Sequence, residues 1–405
     1  MRPWRLPVRS GPGGGGVLGA GLGLLAGALA LAAGGVAAGL ELERRVIGKR
    51  IVGRSRVDDE PFFSLRSAGP VVLTPDGVRL HTEIDEIDPD QGPDPALGAD
   101  PPTLVWVHGY ALSLDCWHFQ RQHFRGRVRQ VLYDQRSHGR STRSAAENCR
   151  VPQLAEDLRQ VLVELTDDQP VILVGHSMGG MTIMHLASQY PELFGPQVKG
   201  VVLFSTSAGE LAEHSPIRGI PGRAFTRVTP PLLAGLNRLP ELVDRGRRAG
   251  SDLGYVVTRR MGFGSDVPAG YVEFVSEMLA ETSLEVVADF YPTFRELDEY
   301  QAFEVVGRVP CAVVGGEDDL ITPIQHTEKM IELVPHAAAL KVPECGHLGM
   351  IEHHELFSGV VETLFETVAE AGHRTSEPGR ARRGETLEAD LEAELEAEGG
   401  PVVVP

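Results

Sequence analysis

The chain has 405 residues, of which 42% are hydrophobic, and a formal net charge of −18 at pH 7. That hydrophobic content is enough for a folded core and excludes a chain that is disordered throughout. The acidic balance argues against sequence-independent binding of nucleic acid, which needs a basic face. The four cysteines are too few for a disulfide-dense scaffold, and they lack the paired short spacings of a zinc site.

The N-terminal part, residues 1–60, is basic and contains one long uncharged segment. Residues 17–40 carry no charged side chain, and at about 1.5 Å per residue they can cross an apolar layer of roughly 30 Å. A single membrane anchor is the first interpretation, and a cleaved export signal is the second. The Lys and Arg that follow the segment favour a cytoplasmic C-terminal domain, whereas the usual signal-anchor layout favours the outer side. The side of the membrane therefore stays open.

Residues 61–372 have the pattern of an α/β domain, in which apolar strands alternate with amphipathic helices. A hairpin is predicted from Val71–Thr74 and Val78–Ile84. Buried strands are predicted at Leu104–Val107, Gln130–Tyr133, Val171–Val174, Val201–Phe204, Ala312–Val314 and Ala338–Val342. Helices are predicted at Asp115–Arg125, Gln153–Leu165, Met178–Tyr190 and Pro323–Val334. This alternation predicts a mostly parallel sheet with helices on both faces.

Two stretches depart from that rhythm. Residues 209–305 contain helix-like segments and several prolines but no convincing strand, which predicts a helical cap inserted over one end of the sheet. Some apolar side chains of this cap are expected to line an acyl pocket, and others to pack onto the sheet. Residues 373–405 are acidic and are expected to form a disordered tail.

The strongest local signal is a strand that runs into Gly175-His-Ser-Met-Gly179 and then into a helix. A serine at such a sharp turn, here Ser177, is held in a strained conformation above the sheet edge, and the small residues Gly175 and Gly179 avoid collisions there. Ser177 is therefore the predicted nucleophile. It needs a neighbouring base, because a serine hydroxyl is a poor nucleophile at its ordinary pKa.

The base and the acid are expected on the loops that follow the last two strands. His347 comes directly after Ala338–Val342, at the strand end where sites of α/β sheets form. The predicted strand Ala312–Val314 leads to Glu317, Asp318 and Asp319. Asp319 is the first choice to orient the histidine and Asp318 is its close rival. The chain order serine, aspartate, histidine is the order expected for this geometry.

The oxyanion of an acyl-transfer reaction needs two backbone N–H donors. Met178, directly after the nucleophile, supplies the first. The loop after Leu104–Val107 contains Gly109, which allows a close backbone approach, so the Tyr110 amide is expected to supply the second.

Five motifs together resemble the α/β-hydrolase superfamily, over a match of about residues 71–370. They are Val107-His-Gly-Tyr110, Asp134-Gln-Arg-Ser-His-Gly-Arg-Ser141, Gly175-His-Ser-Met-Gly179, Gly316-Glu-Asp-Asp319 and Gly346-His347. They occur in the family's order and are most similar to cap-bearing serine esterases and lipase-like members, including uncharacterised actinobacterial hydrolases. The second motif departs from the family at Ser137, where a glycine is common. Ser177 argues against the family branches that use an aspartate nucleophile.

These residues predict a serine hydrolase that cleaves carboxylic esters, either small or lipid-like, through an acyl-enzyme and without a metal or organic cofactor. An acyltransferase or cofactor-free perhydrolase with the same triad is the alternative, and a non-catalytic binding scaffold is a third interpretation. A small-molecule or lipid ester is the expected partner, together with the membrane through residues 17–40. The acyl chain, the oligomeric state and a possible Cys116–Cys149 disulfide stay undetermined.

Overall fold

The computed structural model describes residues 60–90, 92, 101–213 and 251–376. Contacts divide the chain into two units, Met1–Arg56 and Val57–Pro405, and all described residues belong to the second. The predicted membrane segment at 17–40 lies outside the described residues, as do residues 214–250 of the predicted cap and residues 377–405 of the predicted tail. Among the described residues, no helix is both long enough and apolar enough for a bilayer span.

The described region is built on a seven-stranded sheet with a small separate hairpin. In chain order the strands are β1 (Val72–Leu73), β2 (Arg79–Leu80), β3 (Thr82–Asp85), β4 (Thr103–Val107), β5 (Gln130–Tyr133), β6 (Val171–His176), β7 (Val198–Phe204), β8 (Cys311–Gly316) and β9 (Ala338–Val342). The order across the large sheet is β3-β5-β4-β6-β7-β8-β9. Only β3 at its edge is antiparallel to its neighbour.

Burial explains why the strands of this sheet are continuous apolar runs. Every residue of β4, β5, β6 and β8 is buried, as expected for strands that helices cover on both faces. All six predicted buried strands are present at or near their predicted bounds. The predicted α/β-hydrolase fold class is confirmed.

The predicted hairpin is present but shorter than expected. β1 pairs with β2 in antiparallel register, Val72 opposite Leu80. The predicted strand Val78–Ile84 is wrong as a single strand, because it divides at His81. On one side of His81 the chain pairs with β1, and on the other side β3 pairs with β5 at the edge of the large sheet.

Eleven α-helices are described. They are α1 (His118–Phe124), α2 (Val151–Leu165), α3 (Met178–Gln189), α4 (Ser251–Gly262), α5 (Ala269–Glu281), α6 (Leu284–Phe290), α7 (Thr293–Glu296), α8 (Phe303–Val306), α9 (Ile324–Leu333), α10 (Gly349–Glu352) and α11 (His354–Ser376). The last of them continues beyond the predicted domain end at residue 372. The four helices predicted from the sequence correspond to the 115–124 region, α2, α3 and α9.

The sheet packs helices on both faces because successive side chains of a strand point to opposite sides. In β4, Leu104 and Trp106 belong to one core cluster, which also contains residues of α1 and α11. Val105 and Val107 belong to the other cluster, which contains residues of α2 and α3. Helices α4 to α8 lie between β7 and β8 in the chain, and the described parts of that stretch, residues 205–213 and 251–310, contain no strand.

Candidate active site

Ser177 lies in a sharp turn between β6 and α3, with a backbone φ of 51° and ψ of −117°. A positive φ is uncommon for a residue other than glycine and is a strained conformation. The glycines around it are required sterically. A Cβ on Gly179 would lie 1.9 Å from the Val107 carbonyl oxygen, and one on Gly175 would lie 2.7 Å from the Gly180 nitrogen.

Backbone contacts hold this strained turn in place. The Ser177 amide donates to the Phe204 carbonyl at 3.0 Å, which ties the turn to β7. The Ser177 carbonyl accepts from the Gly180 amide at 2.9 Å and from the Met181 amide at 3.2 Å. It also accepts from the Thr206 hydroxyl at 2.7 Å. Ser177 is buried, with 6% of the residue exposed.

The structure brings His347 and Asp319 together at the carboxyl ends of β9 and β8. His347 Nδ1 lies 2.8 Å from Asp319 Oδ2. The same carboxylate accepts from the Ile321 amide at 2.8 Å, and from the Thr322 amide at 2.9 Å and hydroxyl at 2.8 Å. Because the carboxylate only accepts, the proton sits on Nδ1, and Nε2 is left as the basic nitrogen.

Asp318, the rival acid, takes a different place. Its side chain is exposed, as is that of Glu317, whereas Asp319 is buried. The Asp318 amide donates to the Cys345 carbonyl at 3.0 Å, which binds the two loops together. The contact to His347 is therefore made by Asp319.

His176 joins the nucleophile turn to the histidine loop. Its Nε2 lies 2.8 Å from the His347 carbonyl oxygen, and the two rings are 4.8 Å apart. Among the described residues no hydrogen bond joins Ser177 Oγ to His347 Nε2. In enzymes without substrate this contact is often long, and it shortens in the complex.

The two predicted oxyanion donors belong to backbone segments close to Ser177. Met178 is the first residue of α3, so its amide has no partner within the helix. The loop that carries Tyr110 passes close by, since a Cβ on Gly109 would lie 3.3 Å from the Ser177 Cβ. The Gly109 carbonyl, which belongs to the same peptide as the Tyr110 amide, lies 2.7 Å from His108 Nδ1. Because the peptide is planar and trans, the Tyr110 N–H points opposite to the Gly109 carbonyl, so this contact also fixes the direction of that N–H.

His108 is the residue of this loop whose role the sequence did not reveal. It is fully buried, and its Nε2 accepts from the Gln135 amide at 2.9 Å while its carbonyl accepts from the Gln135 side chain at 2.6 Å. Burial lowers the pKa of His108 to about 3, so the ring is neutral at pH 7. The sequence feature that could have indicated this role is its position directly before Gly109.

The motif at Asp134–Ser141 builds a turn beside the site. Asp134 accepts from the amides of Leu114 and Arg140, both at 2.8 Å. Ser137 has a φ of 66°, which explains why a glycine is common at this position in the family. The ring of His138 lies 6.2 Å from that of Tyr110, and its Nδ1 contacts the Arg136 carbonyl at 2.9 Å.

The cysteines lie outside this chemistry. All four are buried and free, and Cys116 and Cys149 are not joined. Burial raises the pKa of the Cys116 and Cys345 thiols well above the ordinary value, so both stay protonated.

Residues 102–354 match the family described as alpha/beta hydrolase fold. Since that match covers well over half of the 405 residues, the chain belongs to the α/β-hydrolase family. It is 25% identical to a 3-oxoadipate enol-lactonase of Acinetobacter baylyi over 268 residues, which are 66% of this chain and 90% of that protein. It is 26% identical to a bifunctional esterase/perhydrolase of Acinetobacter calcoaceticus over 293 residues, 68% of this chain and 92% of that protein.

Solved structures agree on the fold. A thermophilic esterase from Thermogutta terrifontis superposes with a TM-score of 0.54 at 20% identity, over 74% of this chain and 97% of that one. A bromoperoxidase from Bacillus anthracis superposes with a TM-score of 0.58 at 18% identity, over 74% of this chain and all of that one. The relatives together support hydrolase activity of the type found in this family.

Proposed function

We propose that the chain is a serine hydrolase of carboxylic esters, with Ser177 as nucleophile, His347 as base and Asp319 as the residue that orients the base. The observation that carries this proposal is the 2.8 Å contact between His347 Nδ1 and Asp319 Oδ2, at the same sheet edge as the strained turn of Ser177. The esterase and lactonase relatives favour an acyl–oxygen bond as the one that is cleaved.

The proposed reaction has two steps. His347 Nε2 takes the Ser177 proton while Oγ attacks the ester carbonyl, and the amides of Met178 and Tyr110 stabilise the oxyanion of the tetrahedral intermediate. His347 then gives its proton to the leaving alcohol, and an acyl-enzyme forms. Water, activated by His347, releases the acid and restores Ser177. The chemistry uses only side chains and backbone amides.

The substrate class is a small or lipid-like ester, which is also the proposed partner. The stretch between β7 and β8 supplies apolar side chains, such as the buried Phe290, which packs with Met178 next to Ser177. Apolar walls with few polar groups are typical of sites for acyl chains.

For residues 17–40 the proposal remains a membrane anchor or an export signal. Protease access to a tagged full-length chain in spheroplasts shows on which side of the membrane the C-terminal domain lies.

A fluorophosphonate probe tests the nucleophile, because it reacts covalently with an activated serine. We expect the wild-type chain to be labelled and Ser177→Ala to be unlabelled, with ester hydrolysis reduced by a factor of about 10³ or more. Ser64→Ala is the matched control, since Ser64 is exposed and far from the triad in the chain. Equal labelling of Ser177→Ala and wild type contradicts the assignment of Ser177 as nucleophile. An unlabelled wild type favours a non-catalytic binding scaffold.

Acyl transfer to another acceptor is the second candidate. It rests on the similarity to the bifunctional esterase/perhydrolase, in whose name both activities stand. Incubating one ester with and without an acceptor alcohol or hydrogen peroxide distinguishes the candidates. Free acid as sole product favours hydrolysis, whereas a new ester or a peracid favours transfer.

A further inference from the structure

Glu352 carries a carboxylate whose hydrogen-bonding capacity is completely used. It ends the short helix α10, five residues after His347. One oxygen accepts from both the amide and the hydroxyl of Ser265, the latter at 2.6 Å. The other accepts from the Gly264 amide at 3.1 Å and from the Gly346 amide at 2.7 Å. An ionised carboxylate has about four acceptor positions, so these four donors fill it.

A metal is a poor explanation of this cluster. Ligand atoms of Cys345, Glu352 and His353 lie within 4.8 Å of one another. However, the carboxylate already has four N–H or O–H partners, and His353 Nε2 contacts the Glu344 carbonyl at 3.3 Å. Burial raises the pKa of the Cys345 thiol, which disfavours the thiolate that a metal requires. The arrangement instead fits a carboxylate that holds two backbone segments together.

Those two segments are the end of cap helix α4 and the loop that carries His347. The Leu348 amide donates to the Gly262 carbonyl at 2.9 Å. A Cβ on Gly346 would lie 2.6 Å from that same carbonyl oxygen, and a Cβ on Gly264 would lie 2.7 Å from the Cys345 carbonyl carbon. The two backbones are thus in direct contact, and Glu352 bonds to both of them.

We propose that Glu352 is a positioning residue, which sets the place of the His347 imidazole by joining its loop to the end of cap helix α4. The proposal rests on the proposed function, in which His347 is the base. Glu352 acts one residue away from His347, on the Gly346 amide. In Glu352→Gln an NH₂ group replaces one oxygen and faces two N–H or O–H donors. Two of the four hydrogen bonds are therefore lost, and the loop shifts. A displacement of about 1 Å at a catalytic group can reduce the rate roughly 100-fold.

A double-mutant cycle between Glu352→Gln and His347→Ala tests this on the full chain. The kcat for a p-nitrophenyl ester is measured for the wild type, both single variants and the double variant. We expect Glu352→Gln to lower kcat roughly 10- to 100-fold, with KM changed much less. In the His347→Ala background the same substitution should change the residual kcat less than about two-fold, because there is no imidazole left to position.

Glu355→Gln is the matched control, since Glu355 is exposed and lies three residues after Glu352 in the chain. This variant should retain the wild-type kcat.

Two outcomes overturn the proposal. An equal loss from Glu352→Gln in both backgrounds means a general structural role, and an unchanged kcat means that the junction does not matter for the base. If Glu352→Gln does not fold, Ser265→Ala removes only one hydroxyl donor and should show the same dependence on His347 with a smaller loss. The proposed function fails separately, when Ser177→Ala or His347→Ala retains the wild-type kcat.

Discussion

Four histidines lie around Ser177, and their contacts differ. Burial lowers the pKa of His108 to about 3 and that of His138 to about 4. Burial and the neighbouring His347 lower the pKa of His176 well below its ordinary value. His347 differs because its Nδ1 lies 2.8 Å from the Asp319 carboxylate, the contact that orients the base in the proposed mechanism. The local contacts therefore favour His347 as base over its three neighbours.

This difference predicts a simple pH profile for ester hydrolysis. Because His108, His138 and His176 stay neutral above pH 5, none of the three should contribute to the pH dependence of kcat/KM between pH 5 and pH 8, so the slope of any acidic limb there should not exceed one. The initial rate at low substrate concentration, measured from pH 5 to pH 8, gives that slope. His336→Gln, a change at an exposed histidine, should leave the profile unchanged. A slope of two would mean that a second histidine near Ser177 titrates in this range.

At the scale of elements, helix α6, which lies between β7 and β8 in the chain, packs against both proposed oxyanion residues. Its Val286 and Phe290 form a buried cluster with Met178, and Tyr110 packs against that cluster. The Tyr110 hydroxyl donates to the Val287 carbonyl, and burial raises the pKa of Tyr110, so the hydroxyl stays protonated. An ion pair between Arg143 and Asp289 adds a second attachment of the helix. The loop that carries Tyr110 thus passes close to Ser177, while the Tyr110 side chain is attached to helix α6.

Tyr110→Phe tests whether the backbone amide and the hydroxyl of Tyr110 have separate roles. Removing the hydroxyl costs about 1 kcal/mol of local stability, so backbone amides of α6 should exchange hydrogen roughly five-fold faster. The kcat should change less than about three-fold, because the proposed oxyanion donor is the backbone amide, which the substitution keeps. Hydrogen exchange and ester hydrolysis measure the two effects.

Tyr291→Phe is the control for this prediction, since the Tyr291 hydroxyl makes no hydrogen bond with a described residue. It should alter neither exchange nor kcat. A loss of kcat by 100-fold in Tyr110→Phe would show that the phenol takes part in the chemistry.

The elements of the sheet were predictable because fully buried parallel strands are continuous apolar runs. The turn at Ser177 was predictable for a related reason, since its geometry admits only small residues at Gly175 and Gly179. Asp319 was the first choice from the sequence, but Asp318 stayed a close rival because the two differ in burial and not in chemistry. Glu352 was missed, because its four donors come from residues 264, 265 and 346, which meet only in the folded chain.

At the scale of the whole molecule, a buried group of charges joins the start of the domain to its sheet. Arg121 on α1 contacts Glu83 at 2.7 Å and Asp85 at 2.8 Å, both on the edge strand β3, and it donates to the Leu65 carbonyl at 3.2 Å. Burial on its own would raise the pKa of Glu83, but hydrogen bonds from His81 and Arg121 outweigh it and lower that pKa to about 2. The pKa of Asp85 is lowered as well, since contacts with Arg121 and Ser67 outweigh its burial.

Arg121→Met should destabilise the fold in a way that depends on pH. At pH 7 it leaves the buried Asp85 without its ion-pair partner and leaves Glu83 with only its side-chain contacts to Arg140 and His81. Removing one partner of a buried pair typically costs about 3–5 kcal/mol. In the wild type the two lowered pKa values contribute stability above the ordinary carboxyl pKa, and that contribution is lost as the pH falls toward about 2. In the variant the carboxyl groups protonate readily on acidification, which relieves their burial. The difference in the free energy of unfolding between wild type and Arg121→Met should therefore be large at pH 7 and smaller at pH 3, as measured by urea unfolding.

Arg129→Met is the control, because Arg129 pairs with the exposed Glu86 and its loss should cost less than about 1 kcal/mol. A difference of equal size at both pH values would attribute the effect to lost packing of the Arg121 side chain, and not to its charge.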